Sequence, residues 1–320
     1  MIFFRYLSFL WIFFYLVLIS CTAKESKEAS LDPIMDKKGE QETYKKEQLS
    51  FYFTPSLRNN LLDDNINDLV NFLAQETGYN IKPVIPKDSK AMISDFVEGR
   101  ADLGIMNTLG FIEASGLAPG LQARLKVIRY GLDHYKGQII THVDSGIDEL
   151  DDLNGKTFAF TSKNSTSGYL FPAKMLMDQG VRLSKTFYAE KHDKVAEIVY
   201  RRMADAGATF YSAPGPGGEA RDARSKILKK YPDVLDKLKI ISITEPIPND
   251  PVVFSAQLPG EVVRTLIEAM IKYARDSEGK KVLIDLYGTE GFIPCQNGDY
   301  APMAEAIKKS AELQGLIEYL

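Results

Sequence analysis

Hydroxyl side chains are concentrated in one short segment of the sequence, Asn164-Ser165-Thr166-Ser167-Gly168. It lies between a predicted strand that ends near Thr161 and a predicted helix that begins near Gly168. A helix start exposes backbone N–H groups without intrahelical partners and the positive end of the helix dipole, and hydroxyls add adjustable donors. The segment therefore predicts a site for a tetrahedral oxyanion that needs no Lys or Arg. The alternative is a plain helix cap, since Ser and Thr are favoured caps.

The elements that would position this segment follow a repeated pattern of strands and helices. Before residue 107 we predict strands at 49–53, 81–85 and 101–106, and helices at 60–75 and 91–98. After a boundary near 133–141 we predict strands at 157–160, 186–189, 206–211 and 239–244, and helices at 169–178 and 195–202. The C-terminal part adds a strand at 252–255 and helices at 260–276, 280–286 and 301–313. This alternation indicates parallel α/β units. Two α/β lobes joined by two crossovers fit it best, and one large doubly wound sheet is the alternative.

Composition excludes several classes of protein. The 320 residues carry 39 basic and 43 acidic side chains, a net charge of −4, which argues against a nucleic-acid partner bound through a broad basic surface. Two cysteines cannot build a disulfide framework or a Cys-rich metal site. The three histidines, His134, His142 and His192, lack the paired spacing of zinc sites. We therefore expect no catalytic residue, no metal and no cofactor.

The N-terminal residues differ in character from the rest of the chain. Residues 1–20 hold one charge, Arg5, and a long apolar run, which is typical of a secretory signal peptide. Leu18-Ile19-Ser20-Cys21 resembles a bacterial lipobox, so we expect cleavage before Cys21 and lipid attachment to its thiol. The charged segment 21–48 then reads as a disordered tether. A plain N-terminal membrane anchor is the alternative.

Four stretches of the chain resemble the phosphonate- and phosphite-binding (PhnD-like) proteins of ABC importers. They are Ser-Thr-Ser-Gly-Tyr-Leu-Phe-Pro at 165–172, His-Asp at 192–193, Ala-Asp-Ala at 204–206 and Pro-Ile-Pro-Asn-Asp-Pro at 246–251. The resemblance implies an α/β fold, a two-lobed periplasmic-binding-protein-like clamp of type 2. Each lobe would be a mixed, mostly parallel sheet flanked by helices. Lobe 1 would comprise 49–134 plus 251–320, lobe 2 would comprise 135–250, and an anion would be held in the cleft.

The resemblance also assigns a phosphonate cradle. The family's Ser-Thr-Ser segment matches Ser165, Thr166 and Ser167. A family Tyr that donates to the same oxyanion matches Tyr135, for which packing at the hinge is the alternative role.

Two further binding residues carry over, and two positions depart from the family. A histidine that leads a helix and reaches the phosphonate matches His192, although a surface residue at a helix start is an equal alternative. The acidic residue of the proline-rich crossover matches Asp250, which could also be a turn carboxylate. A first-lobe Tyr of some members is replaced by Ser89 or Asp88. The acidic residue that holds a substrate ammonium is replaced by Ser212, which makes an aminoalkyl ligand less favourable.

Asp250 suggests a rule for ligand choice. A phosphonate, phosphite or phosphate monoanion carries a P–OH proton that a carboxylate can accept, whereas an anion without a proton would be repelled. Asp250 is therefore expected to discriminate against sulfate-like ligands.

Together these features predict a solute-binding lipoprotein of an ABC importer that captures a small phosphorus oxyanion. Its partners would be an ABC permease in the inner membrane and the membrane surface itself, reached through the lipid anchor. We expect an exported monomer at the periplasmic or extracytoplasmic face. A ligand-sensing lipoprotein for another small anion is one alternative, and an exported phosphate-ester enzyme is another.

Overall fold

A computed structural model describes residues 48–57, 62–305 and 307. The expected signal peptide, the lipid attachment site at Cys21, nearly all of the tether and most of the helix expected at 301–313 lie outside the described residues. Within the part of the chain that the structure describes, none of the helices combines the length and the apolar character needed to cross a membrane.

The described chain alternates strands and helices. The strands are β1 (Leu49–Tyr52), β2 (Ile81–Val84), β3 (Leu103–Ile105), β4 (Gln122–Ile128), β5 (His134–His142), β6 (Thr157–Phe160), β7 (Lys185–Tyr188), β8 (Ala206–Tyr211), β9 (Leu238–Ile243), β10 (Ile247–Pro248), β11 (Pro251–Phe254) and β12 (Gly291–Pro294). The α-helices are α1 (Leu62–Thr77), α2 (Ser89–Val97), α3 (Thr108–Leu117), α4 (Phe171–Asp178), α5 (His192–Tyr200), α6 (Val234–Lys237), α7 (Gly260–Arg275) and α8 (Ser277–Tyr287).

The first lobe is built on a six-stranded sheet in the order β12-β4-β11-β3-β1-β2. Helices α1, α7 and α8 cover one face, and α2 and α3 cover the other. The stripe of Leu266, Met270 and Tyr273 shows why α7 forms and docks, because residues three and four apart share one helix face and all three are buried.

The second lobe is built on the order β10-β5-β8-β6-β7, with β9 also paired to β5. Helix α4 packs on one face of this sheet, and α5 and α6 pack on the other. The expected two-lobed clamp with mixed sheets is confirmed. Antiparallel pairs make up a larger share than expected, because in each sheet two parallel pairs adjoin three antiparallel ones. The strand that follows each crossover, β5 or β11, runs antiparallel to its neighbours in the sheet.

The segment near 133–141, which was expected to be a boundary without a strand, is largely strand β5, an interior strand of the second sheet. It pairs with β8, β9 and β10. Its sequence mixes Gly137 with polar residues, so it shows little of the apolar alternation by which half-buried strands are predicted. The chain therefore enters the second sheet immediately after the first crossover.

One aspartate just before β3 in the first lobe, and another just before β8 in the second, bind the neighbouring parallel strand, β1 or β6. Asp102 accepts hydrogen bonds from the backbone N–H of Ser50 at 2.8 Å and from its hydroxyl at 2.9 Å. Asp205 accepts the equivalent pair from Thr157 at 2.8 and 2.7 Å. This arrangement agrees with the supporting role that the sequence suggested for Asp205.

The two crossovers between the lobes lie against each other. The buried Asn249 donates through Nδ2 to the backbone carbonyls of Val127 at 3.1 Å and Leu132 at 2.9 Å. The backbone carbonyl of Asn249 accepts a hydrogen bond from the Tyr300 hydroxyl at 2.8 Å. Met303 is buried in a cluster with Phe171 of the second lobe, so the C-terminal segment contacts both lobes. The crossovers thus form one hydrogen-bonded hinge.

Candidate functional site

A cavity of about 690 Å³ is lined by residues of both lobes and of the crossovers. All the residues that the sequence proposed as ligand contacts line it: Tyr135, Ser165, Thr166, Ser167, His192 and Asp250. The structure therefore brings together side chains that are up to 115 residues apart in the sequence.

The hydroxyl segment begins a helix with an unusual first turn. Ser165 is the N-cap, and its Oγ accepts a hydrogen bond from the N–H of Gly168 at 3.0 Å. The first turn, Thr166–Leu170, is π-helical, and α4 continues it directly. The helix thus starts at Thr166, two residues before the predicted position. The Ser165 hydroxyl caps the helix and retains its own proton to donate.

The start of this helix leaves donors for an anion. The first N–H groups of a helix have no intrahelical acceptor, and Ser165 takes up only that of Gly168. The N–H groups of Thr166 and Ser167 therefore remain as donors next to their own hydroxyls. Both residues are almost fully buried, with 7% and 3% of their surface exposed, so an anion here would be held largely away from water.

Two glycines allow the cradle to sit close to the strands beneath it. A Cβ on Gly168 would overlap the Thr161 hydroxyl and lie 2.8 Å from Thr161 Cβ. A Cβ on Gly137 would lie 2.7 Å from the Ser167 carbonyl oxygen. Both distances are shorter than real Cβ contacts, so the packing of the cradle on β5 and β6 requires glycine at both positions.

Tyr135 lies between the cradle and the second crossover. Burial raises the pKa of Tyr135 to about 12, and the negative charge of Asp250 adds to this effect, while the hydroxyls of Thr166 and Ser167 act in the opposite direction. The phenol is therefore protonated at neutral pH and can donate a hydrogen bond.

His192 is the first residue of α5. Its Nδ1 accepts a hydrogen bond from the N–H of Phe210 at 3.1 Å, and its ring meets the Phe210 ring edge to face. Burial lowers the pKa of His192 to about 4, although the charge of Asp193 opposes the change. The ring is neutral at pH 7, and because Nδ1 is an acceptor, Nε2 carries the proton. His192 can thus act as a neutral donor.

Asp250 is not the isolated carboxylate that the sequence suggested. Its Oδ2 forms an ion pair of 2.8 Å with Nη2 of Arg129, and both side chains are half-buried. Burial opposes the charge of Arg129, but the charge of Asp250 and the hydrogen bond to it raise the pKa of Arg129. Oδ1 of Asp250 has no protein partner among the described residues, so it is the oxygen that could accept a ligand proton.

Arg129 is the residue that the sequence reasoning missed. It follows β4 directly and donates through Nε to the carbonyl of Tyr287 at 3.1 Å, which fixes its guanidinium between the lobes. A basic residue at the end of a strand, close to a crossover, was the only signal available. Nothing in its spacing connects it with Asp250.

The described residues contain no group of three or more His, Cys, Asp or Glu side chains that could hold a metal ion. The lining offers an anion neutral hydrogen-bond donors and basic side chains, together with the ion pair between Arg129 and Asp250.

The sequence profile for the periplasmic substrate-binding proteins of phosphonate ABC transporters matches residues 51–300, which is more than three quarters of the chain. The chain belongs to this family. The proteins that define this family are the periplasmic substrate-binding components of phosphonate ABC transporters.

Two curated relatives are similar over part of their length. The phosphate-import protein PhnD of Mycolicibacterium smegmatis is 24% identical over 177 residues, which cover 51% of this chain and 55% of that protein. The phosphonates-binding periplasmic protein of Escherichia coli is 23% identical over 221 residues, or 66% of this chain and 62% of that protein. The matches thus span less than two thirds of either relative.

Solved structures establish the fold of this family member. XAC2383 of Xanthomonas citri bound to ATP superposes with a TM-score of 0.68 at 18% identity, covering 83% of this chain and 99% of that one. PhnD1 of Prochlorococcus marinus in complex with methylphosphonate gives a TM-score of 0.61 at 21% identity, covering 82% and 98%.

The two positions that depart from the family pattern both lie near the cavity. Ser212 lines the main cavity. Ser89 lines an adjoining cavity of about 320 Å³, to which Arg129 and Asp250 also contribute. Asp88 is the N-cap of α2, and its Oδ1 accepts a hydrogen bond from the N–H of Ala91 at 2.8 Å. Neither departure removes a group from the hydroxyl cradle.

Proposed function

We propose that this phosphonate-binding family member is a solute-binding lipoprotein that captures a small phosphorus oxyanion and delivers it to an ABC permease. The observation that carries the proposal is the helix start at Ser165–Ser167, where buried hydroxyls and free N–H groups face one cavity with the neutral donors Tyr135 and His192. Such a set matches the oxygens of a tetrahedral anion without requiring a countercharge.

Binding couples to closure of the two lobes. The cradle belongs to the second lobe, whereas Arg129 and Asp250 lie at the ends of the crossovers, next to the first lobe. A ligand that contacts both sets stabilises the closed form in proportion to those contacts, and the permease would recognise that form. No covalent step is involved.

The Arg129–Asp250 pair modifies the expected ligand rule. The guanidinium compensates most of the carboxylate charge, so Asp250 repels an anion less than an isolated carboxylate would. Oδ1 is still an acceptor, and a ligand that carries P–OH satisfies it, whereas sulfate offers no proton. We therefore propose that the protein prefers protonated phosphorus oxyanions to sulfate, and that this preference is moderate in size.

We also propose the organisation around the site. Lobe 1 comprises 49–134 plus 251–320 and lobe 2 comprises 135–250, in line with the strands of the two sheets. Cys21 carries the lipid that tethers a monomer to the extracytoplasmic face of a membrane. One acyl chain anchors weakly, whereas more than one anchors stably.

A ligand screen tests the proposal. The chain without residues 1–20 is purified, the small molecules that it carries are identified by mass spectrometry, and its melting temperature is measured with phosphite, phosphate, methylphosphonate and sulfate. We expect the phosphorus oxyanions to raise the melting temperature and sulfate to have little effect. No shift with any phosphorus oxyanion would contradict the proposal, as would robust hydrolysis of phosphate esters in the presence of divalent metals.

A further inference from the structure

Charged side chains are distributed unequally around the cavity. Four basic residues line it, Arg129, Lys136, Arg221 and Lys226, and the one carboxylate among the lining residues is Asp250. The cavity therefore has a formal excess of three positive charges, although the whole chain has a net charge of −4. Because Arg129 and Asp250 form an ion pair, the excess belongs to the other three residues.

Two of these three residues have no countercharge. Within the described part of the chain, Lys136 and Lys226 form no ion pair with an acidic side chain. Arg221 pairs with Glu219 at 2.7 Å, but the Glu219 side chain is 54% exposed and does not line the cavity. The guanidinium of Arg221 also lies over the Tyr130 ring, 4.6 Å from its centroid, so it reaches across the cleft to the residue that follows Arg129.

These basic residues belong to segments other than the one that carries the hydroxyl cradle. Successive side chains of a strand point to opposite faces, so Lys136 points away from its neighbour Tyr135. Tyr135 packs with Phe171 at the start of α4, whereas Lys136 is paired across the sheet with Tyr211 of β8. Arg221 and Lys226 belong to the segment that follows β8, and this segment packs against α5. Basic side chains from segments other than the helix start thus form a second group in the lining, called the basic end of the cavity.

The size of the cavity agrees with two subsites. The cavity of about 690 Å³ has a lining that includes both the hydroxyl cradle and the three basic residues. Methylphosphonate has five non-hydrogen atoms and would occupy only the cradle. A ligand with a longer substituent could extend from the cradle to the basic end.

We propose that the ligand is an organophosphorus compound with a second anionic group on its organic substituent, and that Lys136, Arg221 and Lys226 bind this second group. The inference rests on the proposed function, because it assumes that the phosphorus oxyanion occupies the cradle at Ser165–Ser167. The second anion would provide the countercharge that Lys136 and Lys226 lack, and because Lys226 is exposed the attraction should be sensitive to salt.

Matched ligand pairs test this proposal by titration calorimetry at low salt. Each pair has the same chain length with and without a terminal anion: ethylphosphonate against phosphonoacetate, propylphosphonate against 3-phosphonopropionate, and propylphosphonate against 1,3-propanediphosphonate. We expect the wild-type protein to bind at least one dianionic member about tenfold or more tightly than its partner. The third pair shows whether a carboxylate or a second phosphoryl group is preferred.

Variants locate the effect. The double variant Lys136→Gln/Lys226→Gln should reduce the tenfold advantage to less than about threefold, whereas Lys229→Gln, an exposed lysine outside the cavity lining, should preserve it. The advantage should also decrease as the salt concentration rises.

Four results would overturn the inference. Equal affinities within every pair would exclude a second anion subsite, provided that methylphosphonate itself binds. An equal loss of the advantage in the Lys229→Gln variant would attribute it to the general field of the protein. Binding of phosphite or phosphate but of no phosphonate would also exclude the inference, whereas failure of every phosphorus oxyanion to bind would instead refute the proposed function, and the inference with it.

Discussion

Replacement of Gly168 by alanine tests the close packing on which the cradle depends. The added Cβ would overlap Thr161 Oγ1 and lie 2.8 Å from Thr161 Cβ and 2.9 Å from Ser165 Oγ. Rotation of the Thr161 side chain could move its hydroxyl, which has no hydrogen-bond partner among the described residues. Rotation cannot move Thr161 Cβ, which is fixed to the backbone of the segment after β6. The backbone must therefore shift by a few tenths of an ångström.

The size of the effect follows from this geometry. An extra methyl group in a well-packed interior costs typically 1–3 kcal/mol, and contacts with two residues at once place Gly168→Ala near the upper end. The same shift displaces the N–H groups of Thr166 and Ser167, so we expect methylphosphonate affinity to fall more than tenfold, or about 1.4 kcal/mol. Urea unfolding and titration calorimetry measure the two effects.

Two further variants make this test specific. Gly116→Ala introduces the same methyl group at an exposed position of α3 with nothing within 4 Å, and it should stabilise the protein by about 0.5–1 kcal/mol without affecting binding. Thr161→Gly removes the Thr161 atoms that the new Cβ meets and leaves only its contact with Ser165 Oγ. The double variant Gly168→Ala/Thr161→Gly should therefore be less destabilised than the sum of the single changes. If Gly168→Ala resembled Gly116→Ala in stability and affinity, the close packing of the cradle would be refuted.

Three other predictions concern charge and anchoring. Asp250→Asn leaves Arg129 without its carboxylate, so sulfate affinity should rise by up to about tenfold relative to methylphosphonate affinity. Arg129→Gln should weaken the binding of both anions. If calorimetry gave the same affinity ratio for Asp250→Asn as for wild type, Asp250 would be a turn residue. Unfolded histidine takes up a proton below its ordinary pKa near 6.5, whereas His192 in the folded state stays neutral until about pH 4, so stability should fall as the pH drops. From pH 7 to pH 5 the fall should be about 2 kcal/mol larger in wild type than in His192→Asn, and parallel urea-unfolding curves would contradict this. Cys21→Ser should block lipid labelling and the cleavage that accompanies it, and a variant that still carried lipid and fractionated identically with membranes would exclude the lipobox.

The hydroxyl cradle was predictable from sequence because its determinants are local. Ser165 is a favoured N-cap, and the donors at Thr166 and Ser167 follow from the first turn of any helix. The α/β alternation similarly predicted most strands and helices within a few residues, since their apolar patterns are regular. The resemblance added the residues from distant segments, and the structure places Tyr135, His192 and Asp250 around the same cavity.

Interactions between distant segments were not predictable in this way. Arg129 lies 121 residues from Asp250, and no sequence pattern indicates that the pair forms. Strand β5 was interpreted as a boundary because its sequence has little apolar alternation. It is held in the sheet by pairing with three neighbouring strands. The need for glycine at position 137 is visible only once the Ser167 carbonyl is seen against it. These features arise from contacts between residues far apart in the chain, and the local pattern of a single sequence does not predict such contacts.

The central claim is that the helix start at Ser165–Ser167 binds a phosphorus oxyanion. Titration of methylphosphonate and phosphite into wild-type protein and into the Ser165→Ala/Ser167→Ala variant tests it most directly. Loss of a hydrogen bond to a charged group costs roughly 1.5–3 kcal/mol, so the account predicts one site per chain in wild type and a loss of more than tenfold in affinity in a variant that remains folded. Unchanged affinity in the folded variant, or no binding of either anion to wild type, would contradict it.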